Sequence, residues 1–339
     1  MAFKDLLQLI IKRQDLTSSQ MAEMISEVLS GTVTDAQIGA MMAALATKGE
    51  TYAELAGAAQ AMRRKAARIQ APGQTVVDTC GTGGDGASTF NISTTTAFVV
   101  AGCGVIVAKH GNRSVSSQCG SADLLEALGV KLDVDPEIVE EALQEIGIGF
   151  LFAPVFHGAM RYAAPARKQI GLRSIFNMLG PLTNPAGANC QLLGVYAPEL
   201  TEMFAKALQE LGARRALVVH GHDGLDEISV CAPTRVSELN DGMIKTYDLS
   251  PETYFGEPAD PASMTGGGPA QNADITRRIL TGETGPRRNV VMFNAGAALM
   301  AAGKVDTVKA GIAMAAAAID SGAAMHKLEA LAAYTRENG

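Results

Sequence analysis

Glycine is concentrated in one segment of this 339-residue chain, residues 78–94, which reads Asp-Thr-Cys-Gly-Thr-Gly-Gly-Asp-Gly-Ala-Ser-Thr-Phe-Asn-Ile-Ser-Thr. Four of six consecutive positions are glycine: Gly81, Gly83, Gly84 and Gly86. Glycine lets the backbone adopt positive φ and brings N–H groups against an anion with no Cβ between them. A strand pattern precedes the segment and a helix pattern follows it, so the helix N-terminus adds partial positive charge. We therefore predict a phosphate-binding loop.

The spacing of these glycines excludes two common kinds of nucleotide site. It matches neither Gly-x-x-x-x-Gly-Lys-Ser/Thr nor Gly-x-Gly-x-x-Gly. The segment therefore favours neither a nucleoside triphosphatase nor a hydride-transfer enzyme.

A second polar loop follows the strand pattern Val105–Ala108. Residues 109–117 read Lys-His-Gly-Asn-Arg-Ser-Val-Ser-Ser and contain two cations, an imidazole, an amide and three hydroxyls. Loops at the carboxyl ends of parallel strands are where α/β sheets bind ligands. We expect this loop to bind a second phosphate or a diphosphate, although a polar surface loop is the plain alternative.

A third loop, residues 220–229, contains three carboxylates: Asp223, Asp226 and Glu227. Carboxylates this close repel one another unless a cation joins them. Mg²⁺ is held by one or two carboxylates together with substrate phosphates, so we expect magnesium here. Zinc is disfavoured, because no cysteine or third histidine lies at a recognised spacing from the two histidines of the loop. An acid pair at a helix N-terminus remains the alternative interpretation.

The arginines near residues 156–168 suggest a carboxylate ligand. Arg161 and Arg167 can each pair bidentately with a carboxylate, and Arg173 continues the series. On spacing alone, they are equally consistent with a solvated helix face. His157 alone is more often structural than catalytic, and no covalent nucleophile can be argued from the sequence.

The first 70 residues predict short helices, because three capping boxes each precede apolar residues at helical spacing. The boxes are Thr17 with Gln20, Thr34 with Gln37, and Thr51 with Glu54. Such helices bury little core alone, so we expect them to pack on the rest of the chain, on a second subunit, or on both.

Beyond Ala71-Pro72-Gly73, short β-branched runs alternate with helical stretches, which predicts an α/β domain with a mainly parallel central sheet. The predicted strands are Thr75–Asp78, Val105–Ala108, Phe150–Phe152, Leu192–Tyr196 and Ala216–His220, with antiparallel additions at Ile228–Val230, Arg235–Glu238 and Met243–Tyr247. We expect a small all-helical domain over residues 1–72 and a large α/β domain over residues 73–339. The chain should return to the helical part around residues 165–190.

Composition excludes several classes of protein. The net charge of −7 disfavours a basic nucleic-acid groove. The five cysteines show no Cys-x-x-Cys spacing and predict reduced intracellular thiols rather than a disulfide framework. No apolar run approaches the roughly 18 residues of a membrane span. We expect a cytoplasmic protein that binds neither nucleic acid nor a membrane.

Taken together, these segments resemble the anthranilate phosphoribosyltransferases of tryptophan biosynthesis, members of the nucleoside phosphorylase-like phosphoribosyltransferases. The resemblance spans nearly the whole chain and includes residues 120–129, residues 177–185 and Asn294-Ala295. It implies transfer of the phosphoribosyl group from phosphoribosyl pyrophosphate to the amine of anthranilate, giving N-(5-phosphoribosyl)anthranilate and pyrophosphate. It also implies an active site at the hinge between the two domains, and a homodimer through the helical domain.

The resemblance further implies roles at matching positions. For phosphoribosyl pyrophosphate it implies Gly81, Gly84, Asp85, Thr89, Asn91, Ile92, Ser93, Thr94, Lys109, His110, Gly111, Asn112, Arg113, Ser114, Val115, Ser116, Ser117 and Ser121. For anthranilate it implies Gly81, Asn112, His157, Tyr162 and Arg167, and for Mg²⁺ it implies Ser93, Asp226 and Glu227. Lys109, His110 and Arg167 would act by electrostatics and positioning, with no certain catalytic residue.

Two other functions remain open at this point. A nucleoside phosphorylase would cleave a pyrimidine nucleoside with inorganic phosphate and needs no pyrophosphate-bound metal, so the acidic segment counts against it. A noncatalytic relative would bind nucleic acid through a basic face, and the acidic net charge counts against that.

Overall fold

The computed structural model describes residues 1–114 and 118–339, so the predicted ligands Val115, Ser116 and Ser117 lie outside the described residues. The chain begins with four helices: α1 Phe3–Ile11, α2 Ser18–Leu29, α3 Asp35–Lys48 and α4 Tyr52–Lys65. All three predicted capping boxes are confirmed, since each threonine accepts from the backbone three residues on and the Gln or Glu side chain accepts from the threonine backbone. These reciprocal hydrogen bonds explain why α2, α3 and α4 begin where they do.

A seven-stranded sheet follows within the described residues. Its strands are β1 Val76–Gly81, β2 Ile106–Gly111, β3 Ile148–Phe152, β4 Cys190–Gly194, β5 Arg215–Gly221, β6 Thr234–Asn240 and β7 Met243–Leu249. The spatial order is β3-β2-β1-β4-β5-β6-β7, with the first five strands parallel and the last two antiparallel. The parallel sheet and its antiparallel edge are therefore confirmed.

One predicted strand is wrong. Residues 228–230 belong to no strand, because the backbone N–H and C=O of Ile228 both bond to the side chain of Asn294. Those are the groups that would have joined a sheet ladder. The segment therefore stays a pinned loop between β5 and β6.

Helices cover both faces of the sheet. They are α5 Ile92–Gly102, α6 Ser121–Ala127, α7 Pro136–Glu145, α8 Ala153–Phe156, α9 Ala164–Ile170, α10 Ile175–Leu179, α11 Leu200–Glu210, α12 Glu252–Phe255, α13 Pro269–Leu280, α14 Pro286–Ala301, α15 Val308–Asp320 and α16 Ala323–Asn338. The predicted fold class, a small helical domain with a larger, mainly parallel α/β domain, is confirmed. Among the described residues, no helix taken singly has the length and apolarity to cross a membrane.

Two large apolar clusters lie on opposite faces of the sheet. Successive residues of β4 separate them, since Leu192 joins the cluster of α5 and α14 whereas Leu193 joins the cluster of α1–α4 and α11. This alternation is what the two-residue period of a strand produces. Buried residues of α9 and α10 belong to the same cluster as α1–α4. The domain boundary at residue 72 stays a prediction.

Candidate active site

The candidate site lies where the order of the strands reverses. The chain runs from β1 to β2 on one side and later places β4 on the other side of β1, with Gly81 and Gly194 in register at the carboxyl ends. A crevice at such a switch point is the usual ligand site of an open α/β sheet. The loops after β1, β2 and β5, which the sequence singled out, all leave from this edge.

The glycine-rich loop, residues 82–91, uses its glycines as predicted for a backbone cradle. Gly83, Gly84 and Gly86 have φ of 65°, 80° and 73°, values that favour residues without a Cβ. The Gly84 carbonyl accepts a hydrogen bond from Arg173 Nη2 at 3.0 Å, and that guanidinium lies 3.8 Å from the ring centroid of Tyr196. The loop is thus tied to the chain between α9 and α10, and the Thr82 N–H ties it to β4 by donating to the Gly194 carbonyl at 2.9 Å.

Asp226 and Glu227 reach back from the loop after β5 to this cradle. Asp226 Oδ2 accepts from the Gly83 N–H at 2.8 Å, and Glu227 Oε1 accepts from the Ser93 N–H, in the first turn of α5, at 3.0 Å. A Cβ on Gly81 would lie 2.5 Å from Asp226 Oδ2, so glycine at position 81 is required for this approach. Main-chain donors therefore position both carboxylates of the predicted metal site.

The two carboxyl groups of the acid pair, Asp226 and Glu227, are electrostatically suited to bind a cation. Burial, together with the neighbouring Asp85, raises the pKa of Asp226 well above its usual range. Burial also raises the pKa of Glu227 to about 7, although Lys109 and the Ser93 N–H act in the opposite direction. A divalent ion would favour the ionised form of both groups.

The described residues contain no group of three or more His, Cys, Asp and Glu side chains arranged to hold a metal on their own. Mg²⁺ commonly takes one or two carboxylates and completes its shell with water and substrate phosphate oxygens. The donor set of Ser93, Asp226 and Glu227 fits that kind of site. It does not fit a closed site made by protein alone.

The third carboxylate near the pair is Asp85, whereas the sequence had pointed to Asp223. Asp223 Oδ2 instead accepts a 2.6 Å hydrogen bond from Ser229 Oγ and stabilises the turn after β5. The two histidines of that loop also point elsewhere. His220 Nδ1 lies 2.7 Å from the Val195 carbonyl, and the exposed His222 lies 3.5 Å from Asp248.

Lys109 is the buried cation of the site, with only 3% of its surface exposed. Its Nζ donates to the Thr79 carbonyl at 2.5 Å and lies 3.5 Å from Ser93 Oγ. Burial lowers the pKa of Lys109, while the nearby Asp78 and Glu227 act to raise it. A buried lysine between two carboxylates can neutralise a departing anion at little reorganisation cost.

Asp78 supports this lysine from beneath the site. Its carboxylate is fully buried and accepts from the His110 N–H at 3.1 Å and from Asn184 Nδ2 at 2.8 Å. Asn184 Nδ2 also donates to the Ala108 carbonyl at 2.7 Å. These bonds fix the end of β2, where Lys109 and His110 emerge.

Two neutral histidines lie on the other side of Lys109. The rings of His110 and His157 are 5.1 Å apart, and His110 Nδ1 lies 3.0 Å from the Gly180 carbonyl. Burial lowers the pKa of His110 to about 3 and that of His157 to about 4. Within the described residues, Nε2 of each ring is buried and has no hydrogen-bond partner. Such atoms mark a place where a polar ligand or water belongs.

Arg167 on α9 is a half-buried cation without an acidic partner among the residues that the structure describes. Its guanidinium lies 5.5 Å from the ring centroid of Phe176, and burial lowers its pKa. An arginine held against an aromatic ring with its charge uncompensated suits a planar carboxylate ligand.

Models of two family domains match most of the chain. The glycosyl transferase family a/b domain matches residues 73–325, and the helical bundle domain of the same family matches residues 4–66. An anthranilate phosphoribosyltransferase from Desulfosudis oleivorans is 70% identical, over 99% of this chain and 100% of its own length. The chain belongs to the anthranilate phosphoribosyltransferase family.

Solved structures of this family agree with the fold described above. The anthranilate phosphoribosyltransferase from Thermus thermophilus superposes with a TM-score of 0.93 at 45% identity, covering 98% of this chain and 99% of that one. The Saccharomyces cerevisiae enzyme, solved in complex with phosphoribosyl pyrophosphate and magnesium, gives 0.90 at 28% identity, covering 99% and 98%.

Several residues that the family resemblance implies take part in the loop framework. The Asn91 side chain donates to the Cys119 carbonyl at 2.9 Å and accepts from Asn272 at 2.9 Å. Thr89 forms a bridge with Thr265, which closes the far side of the glycine-rich loop. These contacts shape the cradle, and direct contact with a ligand through these side chains stays a prediction.

The remaining implied positions differ in exposure. Ile92 and Thr94 are buried on α5, and the Thr94 hydroxyl has no partner among the described residues. Ser121 Oγ lies 3.2 Å from both the N–H and the carbonyl of Asn112. A Cβ on Gly111 would overlap Ser121 Oγ, so this loop also depends on a glycine.

Two residues that the family resemblance implies as substrate-binding have contacts that the sequence did not indicate. Arg113 pairs with Asp123 at 3.0 Å and Glu126 at 2.9 Å, so its charge is already compensated. Tyr162 lies under the Arg161 guanidinium at 4.8 Å from the ring centroid, and it packs beside Gly31.

Sequence reasoning assigned no role to Asp78, Asn184 or Asn294, although all three are fully or almost fully buried at this edge of the sheet. The useful signal was a polar residue within an apolar run. Asp78 follows Val76-Val77, and Asn294 lies in the middle of an apolar helix. Buried polar groups of this kind are retained only where they are hydrogen-bonded.

Proposed function

We propose that this chain transfers the 5-phosphoribosyl group of phosphoribosyl pyrophosphate to the amine of anthranilate, releasing pyrophosphate, as a step of tryptophan biosynthesis. The observation that carries the proposal is the convergence, at one sheet edge, of a backbone anion cradle, a buried lysine and a metal-suited acid pair, with an uncompensated arginine on α9. The family membership supplies the substrates.

The phosphoribosyl pyrophosphate side consists of three loops. We assign to it Gly81, Gly84, Asp85, Thr89, Asn91, Ile92, Ser93, Thr94, Lys109, His110, Gly111, Asn112, Arg113, Ser114 and Ser121, together with residues 115–117. The positive φ of the loop glycines and the burial of Lys109 support this assignment. Arg113 contributes least, because its charge is already compensated on the protein surface.

Mg²⁺ is assigned to Ser93, Asp226 and Glu227. The support is the raised pKa of both carboxyl groups and their fixed positions against main-chain N–H groups. When bound, the ion supplies positive charge to the diphosphate. The protein's own part is to hold two mutually repelling carboxylates against the Gly83 and Ser93 N–H groups, where they would bind the ion.

Anthranilate is assigned to the side of Arg167, with Asn112, His157, Tyr162 and Gly81, and with His110 nearby. Arg167 would orient the ring through its carboxylate. The free Nε2 atoms of His110 and His157 are neutral, so they can hydrogen-bond a polar group without adding charge.

Phosphoribosyl transfer requires stabilisation of the leaving group more than it requires a general base. Departure of pyrophosphate leaves an electron-poor anomeric carbon, and Lys109 with the loop amides offsets the charge that develops on the leaving group. The amine of anthranilate is neutral at cellular pH, so orientation by Arg167 is the main requirement on that side. Closure of the helical domain over the α/β domain would exclude water, which otherwise captures the ribosyl centre.

We also propose a homodimer formed through the helical domain. Ile11 at the end of α1 and Leu172 after α9 are apolar yet 62% and 63% exposed, and α3 packs against both helices. Sedimentation of the double variant Ile11→Lys, Leu172→Lys should show a monomer where the wild type shows a dimer. An unchanged dimer would move the interface elsewhere. A cytoplasmic location and the absence of nucleic-acid binding stay predictions.

The direct test follows the fluorescence of anthranilate in the presence of phosphoribosyl pyrophosphate and Mg²⁺, with each component omitted in turn. We expect loss of anthranilate only in the complete mixture. Turnover of a pyrimidine nucleoside with inorganic phosphate, in place of anthranilate consumption, would overturn the proposal in favour of a nucleoside phosphorylase.

A further inference from the structure

The backbone that carries the acid pair is held from a distant helix. Asp226 and Glu227 lie in a loop, yet Ile228, the next residue, is fully buried and hydrogen-bonded on both sides of its Cα. Asn294 Oδ1 accepts from the Ile228 N–H at 3.0 Å, and Asn294 Nδ2 donates to the Ile228 carbonyl at 2.9 Å. One side chain therefore fixes two consecutive peptide planes.

Asn294 is itself rigidly placed. It lies in the middle of α14, is 0% exposed, and its Nδ2 also donates to the Val290 carbonyl one turn earlier at 2.9 Å. Its helix neighbours Phe293 and Ala295 are buried in the large apolar cluster of the α/β domain. The side chain has one acceptor and two donor hydrogens in use, so its orientation is determined.

An asparagine in the interior of an apolar helix is a costly choice. It has lower helix propensity than leucine or alanine, and its amide must be desolvated. The three hydrogen bonds offset that cost, and an apolar residue at this position would leave the buried N–H and C=O of Ile228 without a partner. Through its hydrogen bonds to Ile228, Asn294 fixes the loop after β5 and keeps it from forming a strand.

That segment needs holding because its two carboxylates repel each other. The carboxylate of Asp226 is tied to the Gly83 N–H and that of Glu227 to the Ser93 N–H, so the side chains are restrained at their tips. The backbone beneath them is restrained next to Glu227 by Asn294. Mutation of outer partners that orient metal ligands typically lowers metal affinity or activity by about 10- to 100-fold.

We propose that Asn294 is a positioning residue for the magnesium-dependent diphosphate site. Through the backbone of Ile228 it sets where the carboxylates of Asp226 and Glu227 lie relative to Ser93. This inference rests on the proposed function, since it takes the acid pair to be the magnesium site.

The test replaces Asn294 by leucine, which has a similar shape but no hydrogen-bonding group, and by the smaller alanine in case the leucine variant does not fold. The matched control is Asn189→Leu. Asn189 also joins backbone groups on two residues, accepting from the Val76 N–H at 3.0 Å and donating to the Gln74 carbonyl at 2.7 Å, but at the opposite end of β1. Circular dichroism and thermal unfolding establish which variants are folded.

Titration calorimetry then measures binding of Mg²⁺ with inorganic pyrophosphate, and separately with phosphoribosyl pyrophosphate. We expect the Asn294 variants to weaken magnesium-dependent binding at least about tenfold. The Mg²⁺ concentration for half-maximal turnover should rise accordingly, with the KM for anthranilate within about twofold of wild type. Asn189→Leu should lower thermal stability and leave both dissociation constants unchanged.

A folded Asn294 variant with wild-type dissociation constants would overturn the inference, and so would equal losses in the Asn294 and Asn189 variants. The proposed function fails differently. Wild-type protein would then bind pyrophosphate with Mg²⁺ in an Asn294-dependent manner while consuming no anthranilate.

Discussion

The two walls of the candidate site are prepared in opposite ways. In the diphosphate wall, formed by residues 82–91, Lys109, Asp226 and Glu227, each charged side chain already has a main-chain partner. In the acceptor wall, formed by His110, His157 and Arg167, the structure leaves two imidazole nitrogens without partners and a guanidinium without an acid, within the described residues. The first wall is set before any ligand arrives, whereas the second wall lacks the partners that a ligand would bring.

This difference follows from what each wall must do. Charge that develops on a leaving diphosphate is stabilised best by groups that need not move, which main-chain anchors provide. Recognition of an aromatic acid depends instead on buried polar groups that the correct ligand alone completes, because leaving them unpaired costs free energy. Substitutions in the two walls should therefore have separable kinetic effects.

The largest effect should come from neutralising the acid pair. We expect Asp226→Asn with Glu227→Gln to lower kcat/KM for phosphoribosyl pyrophosphate by about 100- to 1,000-fold, since the transition-state charge loses its counterion. Steady-state rates at varied Mg²⁺ measure this. The KM for anthranilate should change little.

Glu238→Gln is the matched control for this substitution. Glu238 on β6 accepts a hydrogen bond from the Tyr247 hydroxyl at 2.8 Å and lies outside the diphosphate wall. A loss of activity equal to that of the double variant would show that general destabilisation, and not the metal site, explains the effect.

The next largest effect should appear in the acceptor wall. Arg167→Gln removes the cation of a charge-assisted pair, so we expect the KM for anthranilate to rise by about 10- to 100-fold, with that for phosphoribosyl pyrophosphate nearly unchanged. Initial rates with each substrate varied in turn separate the two. The exposed neighbour Lys168, replaced by glutamine, should leave both constants near wild type. An equal change in both KM values for Arg167→Gln would contradict the division into two walls.

The neutral histidines predict a pH dependence of stability. The folded pKa values, about 3 for His110 and about 4 for His157, lie below the ordinary value of 6.5. The unfolded chain therefore binds more protons below about pH 6.5, and the free energy of unfolding should fall as the pH falls towards 4. Each histidine contributes a slope of up to about 1.4 kcal/mol per pH unit.

Urea unfolding between pH 7.5 and 4.5 measures this slope. His157→Gln should lower it by the contribution of one proton, up to about 1.4 kcal/mol per pH unit. His222→Gln is the control, because His222 is exposed beside Asp248. Equal slopes for wild type and His157→Gln would mean that His157 binds protons equally well in the folded and the unfolded protein, against its lowered pKa.

Local signals predicted the framework well. Thr17, Thr34 and Thr51 start helices because their caps are made by residues three positions away, a distance that the sequence shows directly. The glycines of residues 81–86 likewise indicated a loop with positive φ, because only glycine adopts such angles without strain.

Contacts between distant segments could not be predicted in the same way. Asp85 lies beside Asp226 in the structure although it belongs to the glycine-rich loop, far from Asp226 in the sequence. Asp223, only three residues before Asp226, instead accepts a hydrogen bond from Ser229. Residues 228–230 have strand-like side chains, but the amide of Asn294 takes the ladder groups of Ile228. Both outcomes depend on tertiary packing that overrides local propensity.

The smallest effect should come from Arg113, which the sequence marked as a phosphate-binding cation. The structure pairs it with Asp123 and Glu126 on the surface of α6, where an ion pair is worth little and its charge adds little to a ligand site. We expect Arg113→Gln to change the KM for phosphoribosyl pyrophosphate by less than about threefold. Lys109→Gln, measured alongside, should reduce turnover far more. Lys109 is buried beside Ser93, so no water can take over the positive charge that the substitution removes. A loss for Arg113→Gln as large as that for Lys109→Gln would mean that Arg113 leaves its acidic partners when the diphosphate binds, and the diphosphate wall would then be only partly set in advance.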